Sequence, residues 1–262
     1  MGDDFVRTTS GWSVGGGVHS SVDSNGWGAF PPRLVKPNFK LAEAMTPDGA
    51  RLTLHEHDGS YCIRLNTEEL MHSSVHASEL RLGDLATAPL VSHAHPWVLI
   101  GGLGLGFTLR AVLENLGPES TVHVAELIPA VVAWNRKFLS GLNGALLSDP
   151  RVEVFESDVW ENIAQAGRAR YDALLLDIDN GPSAMVQEQN RRLYDHAGLE
   201  RIAAVLKPGG RLVVWSGWPD HAFARRLGEA GFMVQMVPAK LYPNAKRCAY
   251  TIFVADRGAA GR

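Results

Sequence analysis

From Trp97 onward, short apolar runs alternate with segments of helical spacing, and this alternation restricts the possible folds more than any other feature of the chain. WVLIG is an apolar strand, and FTLRAVLENL is a helix stopped by Gly117-Pro118. TVHVAEL is a second strand, followed by the helical PAVVAWNRKFL, where Pro129 suits a first helical position. RVEVFES, YDALLLDID, GRLVVWS and YTIFVA read as further strands, with helices between most of them. Strands that are apolar throughout are buried on both faces, so an α/β fold is expected, with a parallel sheet flanked by helices.

Upstream the texture changes twice. Residues 40–72 contain ARLTLHEHDGSYCIRLNTEEL, in which apolar and polar residues alternate on both sides of Asp58-Gly59. That pattern predicts a hairpin and hence a small antiparallel unit before the main domain. Residues 74–90 show helical spacing through Leu80, Leu82 and Leu85 and end at a proline. Residues 1–36 are rich in Gly and Ser, with Trp12, Trp27 and Phe30 as isolated aromatics. They read either as a tail tacked onto the body or as a lid over a ligand. Three regions follow: an extension over 1–36, a β-hairpin unit with its linking helix over 37–90, and the main domain over 91–258.

Composition excludes several classes. Of 262 residues, 45% are hydrophobic and 20% charged, the ordinary globular range, and the formal net charge is −3. That balance argues against nucleic acid as a partner. No run approaches the roughly 18 apolar residues of a membrane span. MGDDFVRTTSGW lacks the basic and apolar parts of a secretory leader, so a cytoplasmic protein is expected. Cys62 and Cys248 both fall in strand-like runs and allow one disulfide, but two buried thiols in a reducing compartment is the preferred reading. No CxxC or HxxxH spacing occurs, so no metal ligand set is expected.

Four segments carry candidate chemistry. Ile100-Gly101-Gly102-Leu103-Gly104-Leu105-Gly106 lies between a strand and a helix, where glycines permit a tight turn and close approach of a ligand to the backbone. Glu126 ends the second strand 20 residues after Gly106, where a carboxylate can accept both ribose hydroxyls. Asp158 follows RVEVFES and can accept from the exocyclic amine of adenine, cap the next helix, or do both. Asp177-Ile178-Asp179-Asn180-Gly181-Pro182 leaves the most apolar strand at its carboxyl end, where ligands bind in open α/β sheets. Two acids there are costly without a partner, which favours a role in chemistry over a plain turn.

The succession GGLGLG, Glu126, SDVW, LLLDIDNGP and LKPGGRLVVWS resembles a class I S-adenosylmethionine-dependent methyltransferase fold, and more closely its spermidine synthase branch, over roughly residues 37–256. The resemblance implies a Rossmann-like, seven-stranded domain behind a small N-terminal antiparallel β-unit. It implies that Gly102, Gly104 and Gly106 line the methionine moiety, Glu126 the ribose and Asp158 the adenine. Asp177 would orient or deprotonate an attacking amine, with Asp179 close by, and Tyr242 of Lys240-Leu241-Tyr242-Pro243 would stand at the acceptor. A homodimer is consistent with the family's habits.

The departures shape the functional expectation. Where the family has an acid in its Gly-rich loop, this chain has Gly104, and of the family's acceptor signature only Glu79 remains. Every sulfonium donor makes an adjacent carbon electrophilic, and the protein supplies orientation and a base. Without an acid at Gly104, a decarboxylated donor loses a partner for its ammonium, whereas intact S-adenosyl-L-methionine escapes a repulsion. The expectation is therefore S-adenosyl-L-methionine as methyl donor, with transfer to nitrogen or an electron-rich carbon of a small molecule. That acceptor would be uncharged or singly cationic, near Trp215, Trp218 and Tyr242. Aminopropyl or aminocarboxypropyl transfer to an amine ranks second, and a non-catalytic nucleoside-binding partner protein third.

Overall fold

The computed structural model describes residues 37–178, 182 and 190–259. The tail-or-lid reading of residues 1–36 and the reading of Asp179 lie outside the described residues.

Four antiparallel strands come first and pair in sequence order: β1 (Asn38–Met45), β2 (Arg51–His57), β3 (Ser60–Leu65) and β4 (Glu68–His72). The expected turn joins β2 to β3, with His57 paired to Ser60 and with Asp58 and Gly59 at φ of 51° and 76°. Two consecutive positive φ values give the turn whose twist matches the flanking strands, and Asp-Gly adopts it at low cost. Leu52, Leu54 and Ile63 are buried in one core with Leu82, Leu103 and Leu105 of the main domain. A sheet of this size cannot bury its apolar face alone, and packing against the main domain does so.

Helix α1 (Ala77–Thr87) leads into the large sheet. Its strands and helices run β5 (Trp97–Gly101), α2 (Phe107–Asn115), β6 (Thr121–Ala125), α3 (Pro129–Lys137), α4 (Ser140–Asn143), β7 (Val152–Phe155), α5 (Val159–Gln165) and β8 (Tyr171–Leu176). They continue through α6 (Arg191–Tyr194), α7 (His196–Val205), β9 (Leu206–Ser216), α8 (His221–Glu229), β10 (Phe232–Ala239) and β11 (Tyr250–Arg257). The seven strands are ordered β10-β11-β9-β8-β5-β6-β7, and only β11 runs antiparallel to its neighbours. The expected Rossmann-like sheet is therefore present. Its face alternation follows the two-residue period of a strand. Val98, Ile100, Ala173, Leu175 and Val213 belong to one core, while Leu99, Leu174, Leu176, Leu212 and Val214 belong to the other. From β5 the chain steps outward through β6 and β7, then returns to place β8 on the opposite side of β5. That reversal opens a crevice at the carboxyl ends of β5 and β8, the place where such sheets bind ligands.

Three features differ from the sequence expectation. β9 starts at Leu206, so Pro208 and Gly209-Gly210 lie inside it, with a register slip against β8 between Tyr171 and Ala173. β10 carries no clean alternation because it is an edge strand, with Met233 exposed and Pro238 near its end. Cys62 is a buried free thiol as expected, whereas Cys248 is free and exposed and precedes β11 instead of lying in it. Among the described residues no helix is long and apolar enough to cross a membrane.

Candidate active site

The Gly-rich loop and Asp177 are held together by the sheet. Gly102 donates its N–H to Ala125 O at 2.8 Å, and Asp177 donates its N–H to Gly101 O at 2.9 Å, so both leave the sheet at one level. Gly102 has φ +92°, and a Cβ there would lie 2.2 Å from Asp177 O. No other residue fits between these two strand ends. Gly106, φ +89°, caps α2, and a Cβ on it would press on Leu146 and Asn135 at 3.1 and 3.2 Å. Gly104, φ +52°, faces β4, where a Cβ would meet Met71 Sδ at 3.1 Å.

Glu126, only 8% exposed, binds the loop from the end of β6. Its Oε2 accepts from Leu103 N and its Oε1 from Ile128 N, both at 2.9 Å. Burial pushes its pKa up, and the surrounding backbone N–H groups oppose that shift. Of the two functions considered for Asp158, the structure shows the cap. Its Oδ1 accepts from Trp160 N at 2.8 Å as the cap of α5, while Oδ2 pairs with the Arg192 guanidinium. Gly102, Gly104, Glu126, Asp158 and Asp177 all line one cavity of about 140 Å³.

A second cavity of about 690 Å³ adjoins the first, and Asp177 lines both. Among the described residues its walls hold four carboxylates, Asp48, Glu69, Glu79 and Asp177, with His72 and no lysine or arginine. Tyr242, 46% exposed, stands on its wall with Trp215, Trp218 and Tyr250. The Trp215 and Tyr250 rings pack with centroids 4.8 Å apart. Asp177 Oδ2 accepts from the buried Thr108 hydroxyl at 2.7 Å. Burial raises the Asp177 carboxyl to about 6, against the pull of that hydrogen bond. Glu79 rises to about 7, chiefly through burial and then through the charge of Asp177. The sequence places the close carboxylate partner of Asp177 at Asp179. The partner found among the described residues is Glu79, brought in by α1 from nearly a hundred residues upstream. The only sequence signal for Glu79 is its survival as the last acid of the acceptor signature.

No family model matches the chain. It is 31% identical over 129 residues to a polyamine aminopropyltransferase of Aeropyrum pernix, covering 47% of this chain and 38% of that protein. It is 30% identical over 131 residues to a spermine synthase of Arabidopsis thaliana, covering 49% of this chain and 34% of that protein. These matches thus span little more than a third of the curated relatives' length. The crystal structure of spermidine synthase from Thermotoga maritima superposes with a TM-score of 0.66 at 18% identity, covering 84% of this chain and 74% of that one.

These relatives overturn the ranking of methyl transfer, with S-adenosyl-L-methionine as methyl donor, above aminopropyl transfer. The geometry explains why the argument from Gly104 fails. The space that an acid would take at this position is filled by the thioether of Met71 from the small sheet. Packing of Met71 against this position is thus a reason for a glycine that involves no donor. In sequence over about half its length, and in fold over most of it, the chain resembles the spermidine synthase branch of the class I S-adenosylmethionine-dependent methyltransferase superfamily.

Proposed function

We propose that the chain transfers an aminopropyl group from decarboxylated S-adenosylmethionine to the nitrogen of a cationic amine. The observation that carries this reading is the position of Asp177 on the wall shared by the two cavities. One cavity has the glycines and acids suited to a nucleoside, and the other has four carboxylates beside His72 and, among the described residues, no lysine or arginine. An acidic, partly aromatic cavity attracts an ammonium through Coulomb and cation–π terms and repels an anionic acceptor. Gly102 and Gly104 would lie against the propyl arm and sulfur, Glu126 would accept from the ribose, and Asp158 would accept from adenine. Asp177 would then hold the amine in line with the electrophilic carbon, with Tyr242 at the entrance.

The donor supplies the electrophile. The nitrogen lone pair forms the C–N bond, the C–S bond breaks toward sulfur, and the sulfonium becomes a neutral thioether. The protein contributes alignment and a place for the amine's proton. Incubation with decarboxylated S-adenosylmethionine and a panel of mono-, di- and triamines tests the reading by following 5′-methylthioadenosine. Amine-dependent release is expected. Donor binding without release across the panel would leave a nucleoside-binding protein.

A further inference from the structure

We infer that Arg192 is a positioning residue for the base of the bound nucleoside and acts through Asp158. The inference rests on the nucleoside reading of the smaller cavity and is independent of which group is transferred. Three adjacent strand ends line that cavity: the Gly-rich loop after β5, Glu126 after β6 and Asp158 after β7. A nucleoside laid across them, with its sulfur arm at the loop and its ribose at Glu126, brings its base to Asp158. Leu127, Ile128, Val131 and Val159 give the cavity apolar walls suited to a planar ring.

A carboxylate recognises the exocyclic amine of adenine only when a lone pair points at it. Here three residues fix that direction in a closed ring. Asp158 Oδ1 accepts from Trp160 N at 2.8 Å, and Oδ2 accepts from Arg192 Nη2. The Arg192 guanidinium also stands over the Trp160 ring, 5.7 Å from its centroid. Held at both oxygens, the carboxylate cannot turn about its Cβ–Cγ bond, and each oxygen has a second lone pair. Arg192 reaches Asp158 from outside the site. It lines neither cavity, and its side chain is 43% exposed against 12% for Asp158. An ion pair with so exposed a partner contributes little to folding. Its main effect is therefore on the direction of one part-buried carboxylate. Adenine and hypoxanthine differ at position 6, an amine donor in the first and a carbonyl acceptor in the second. A carboxylate fixed toward that position accepts from the amine and repels the carbonyl. Without Arg192, Asp158 keeps only its cap bond, and its other oxygen is free to swing away from the base.

Calorimetry with 5′-methylthioadenosine and 5′-methylthioinosine, which differ only at position 6 of the base, tests this assignment on wild type, Arg192→Ala and Arg192→Lys. Wild type should favour the adenine nucleoside by on the order of 100-fold. Arg192→Ala should weaken 5′-methylthioadenosine binding about tenfold and leave 5′-methylthioinosine within about threefold, so that the preference falls about tenfold. Arg192→Lys restores a cation without the planar fork and should recover part of the preference. Melting temperatures should stay within about 2 °C of wild type, as suits an exposed pair. If the Ala variant melts lower, Arg192→Met, which keeps the apolar stem, takes its place. A preference in Arg192→Ala equal to that of wild type overturns the positioning role, including the case in which both nucleosides weaken alike. Tighter adenine binding also overturns it, since Arg192 would then be an obstruction. Either result leaves the nucleoside reading standing. Wild type that binds neither nucleoside removes that reading and the assignment with it.

Discussion

Glu79 and Asp177 affect stability, because both are part-buried acids whose ionisation folding opposes. Their folded values, about 7 and about 6, lie above the ordinary 4.5 and 3.8. The stability contributed by the protonated forms is fully present below those ordinary values. It is lost as pH rises through about 6 for Asp177 and about 7 for Glu79. Glu79→Gln removes one charge of the pair, so its melting temperature should exceed that of wild type at pH 8, by about 2–4 °C for each kcal/mol relieved. The gap should close by pH 4; thermal scans at both values decide, and a gap independent of pH would mean that the pair is not what the substitution relieves. Asp177→Asn keeps volume and the Thr108 contact, so kcat should fall by about 10²–10⁴ while donor affinity holds. A normal single-turnover rate with a lowered melting temperature would reduce Asp177 to a structural acid. The residues that line the smaller cavity were legible as a group because each sits within a local motif: glycines after a strand, or an acid at a strand end. Glu126 does more than that motif foretold, since its two oxygens also fasten Leu103 and Ile128. Glu79 was not legible as the partner of Asp177, because nothing local links a helix upstream of the sheet to the end of β8.

Among the elements, α1 decides how closely these acids approach. It packs on α2 through Gly83, where an added Cβ would lie 2.6 Å from Ala111 Cβ and 3.1 Å from Thr108 O. Helix propensity alone favours Gly83→Ala by up to about 1 kcal/mol. Here the close approach of two helices opposes it, and overpacking of this kind costs about 1–3 kcal/mol. Gly83→Ala should therefore lower the melting temperature by about 2–10 °C. Because Thr108 touches Asp177 and α1 carries Glu79, amine turnover should fall with it. Adding Ala111→Gly removes the closest clash, so the two changes should couple favourably in a double-mutant cycle of melting temperatures. Simple additivity would show that α1 and α2 have room to part. The same elements mark the reach of periodicity. Strands β5 and β8, covered on both sides, announced themselves as continuous apolar runs, and the β2–β3 hairpin by its turn. β1, β4 and β10 are edge strands with mixed exposure, and their pattern carries little signal.

Across the whole molecule, the small sheet is a wall of the site and not an appendage. Leu52, Leu70 and Met71 line both cavities, and Asp48 and Glu69 add charge to the larger one. This explains why the residues of the smaller cavity could be grouped from sequence and those of the larger one could not. The first is built along consecutive strand ends, whereas the second gathers residues from Thr46 to Tyr250. It also explains the mistaken inference from Gly104, whose meaning depends on a side chain 33 positions away that only the folded chain brings near. A swap between the sheets tests that explanation. Gly104→Asp alone places a side chain against Met71 Sδ, in a left-handed conformation that Asp tolerates better than most residues. It should weaken 5′-methylthioadenosine binding a few-fold and lower the melting temperature by a few degrees, about 1 kcal/mol in each case. Met71→Ala alone opens space and should cost stability without changing donor preference. Together, the two changes give the new carboxylate room beside the propyl arm. The double variant should then prefer decarboxylated S-adenosylmethionine over 5′-methylthioadenosine by on the order of tenfold more than wild type does. A charge-assisted bond to the donor's ammonium, worth about 1.5–3 kcal/mol, would supply that preference. Calorimetry with both ligands on the four proteins settles it, because only steric exclusion by Met71 makes the effect of the acid depend on residue 71. Equal donor preference in Gly104→Asp with and without Met71→Ala would mean that the glycine is kept for another reason.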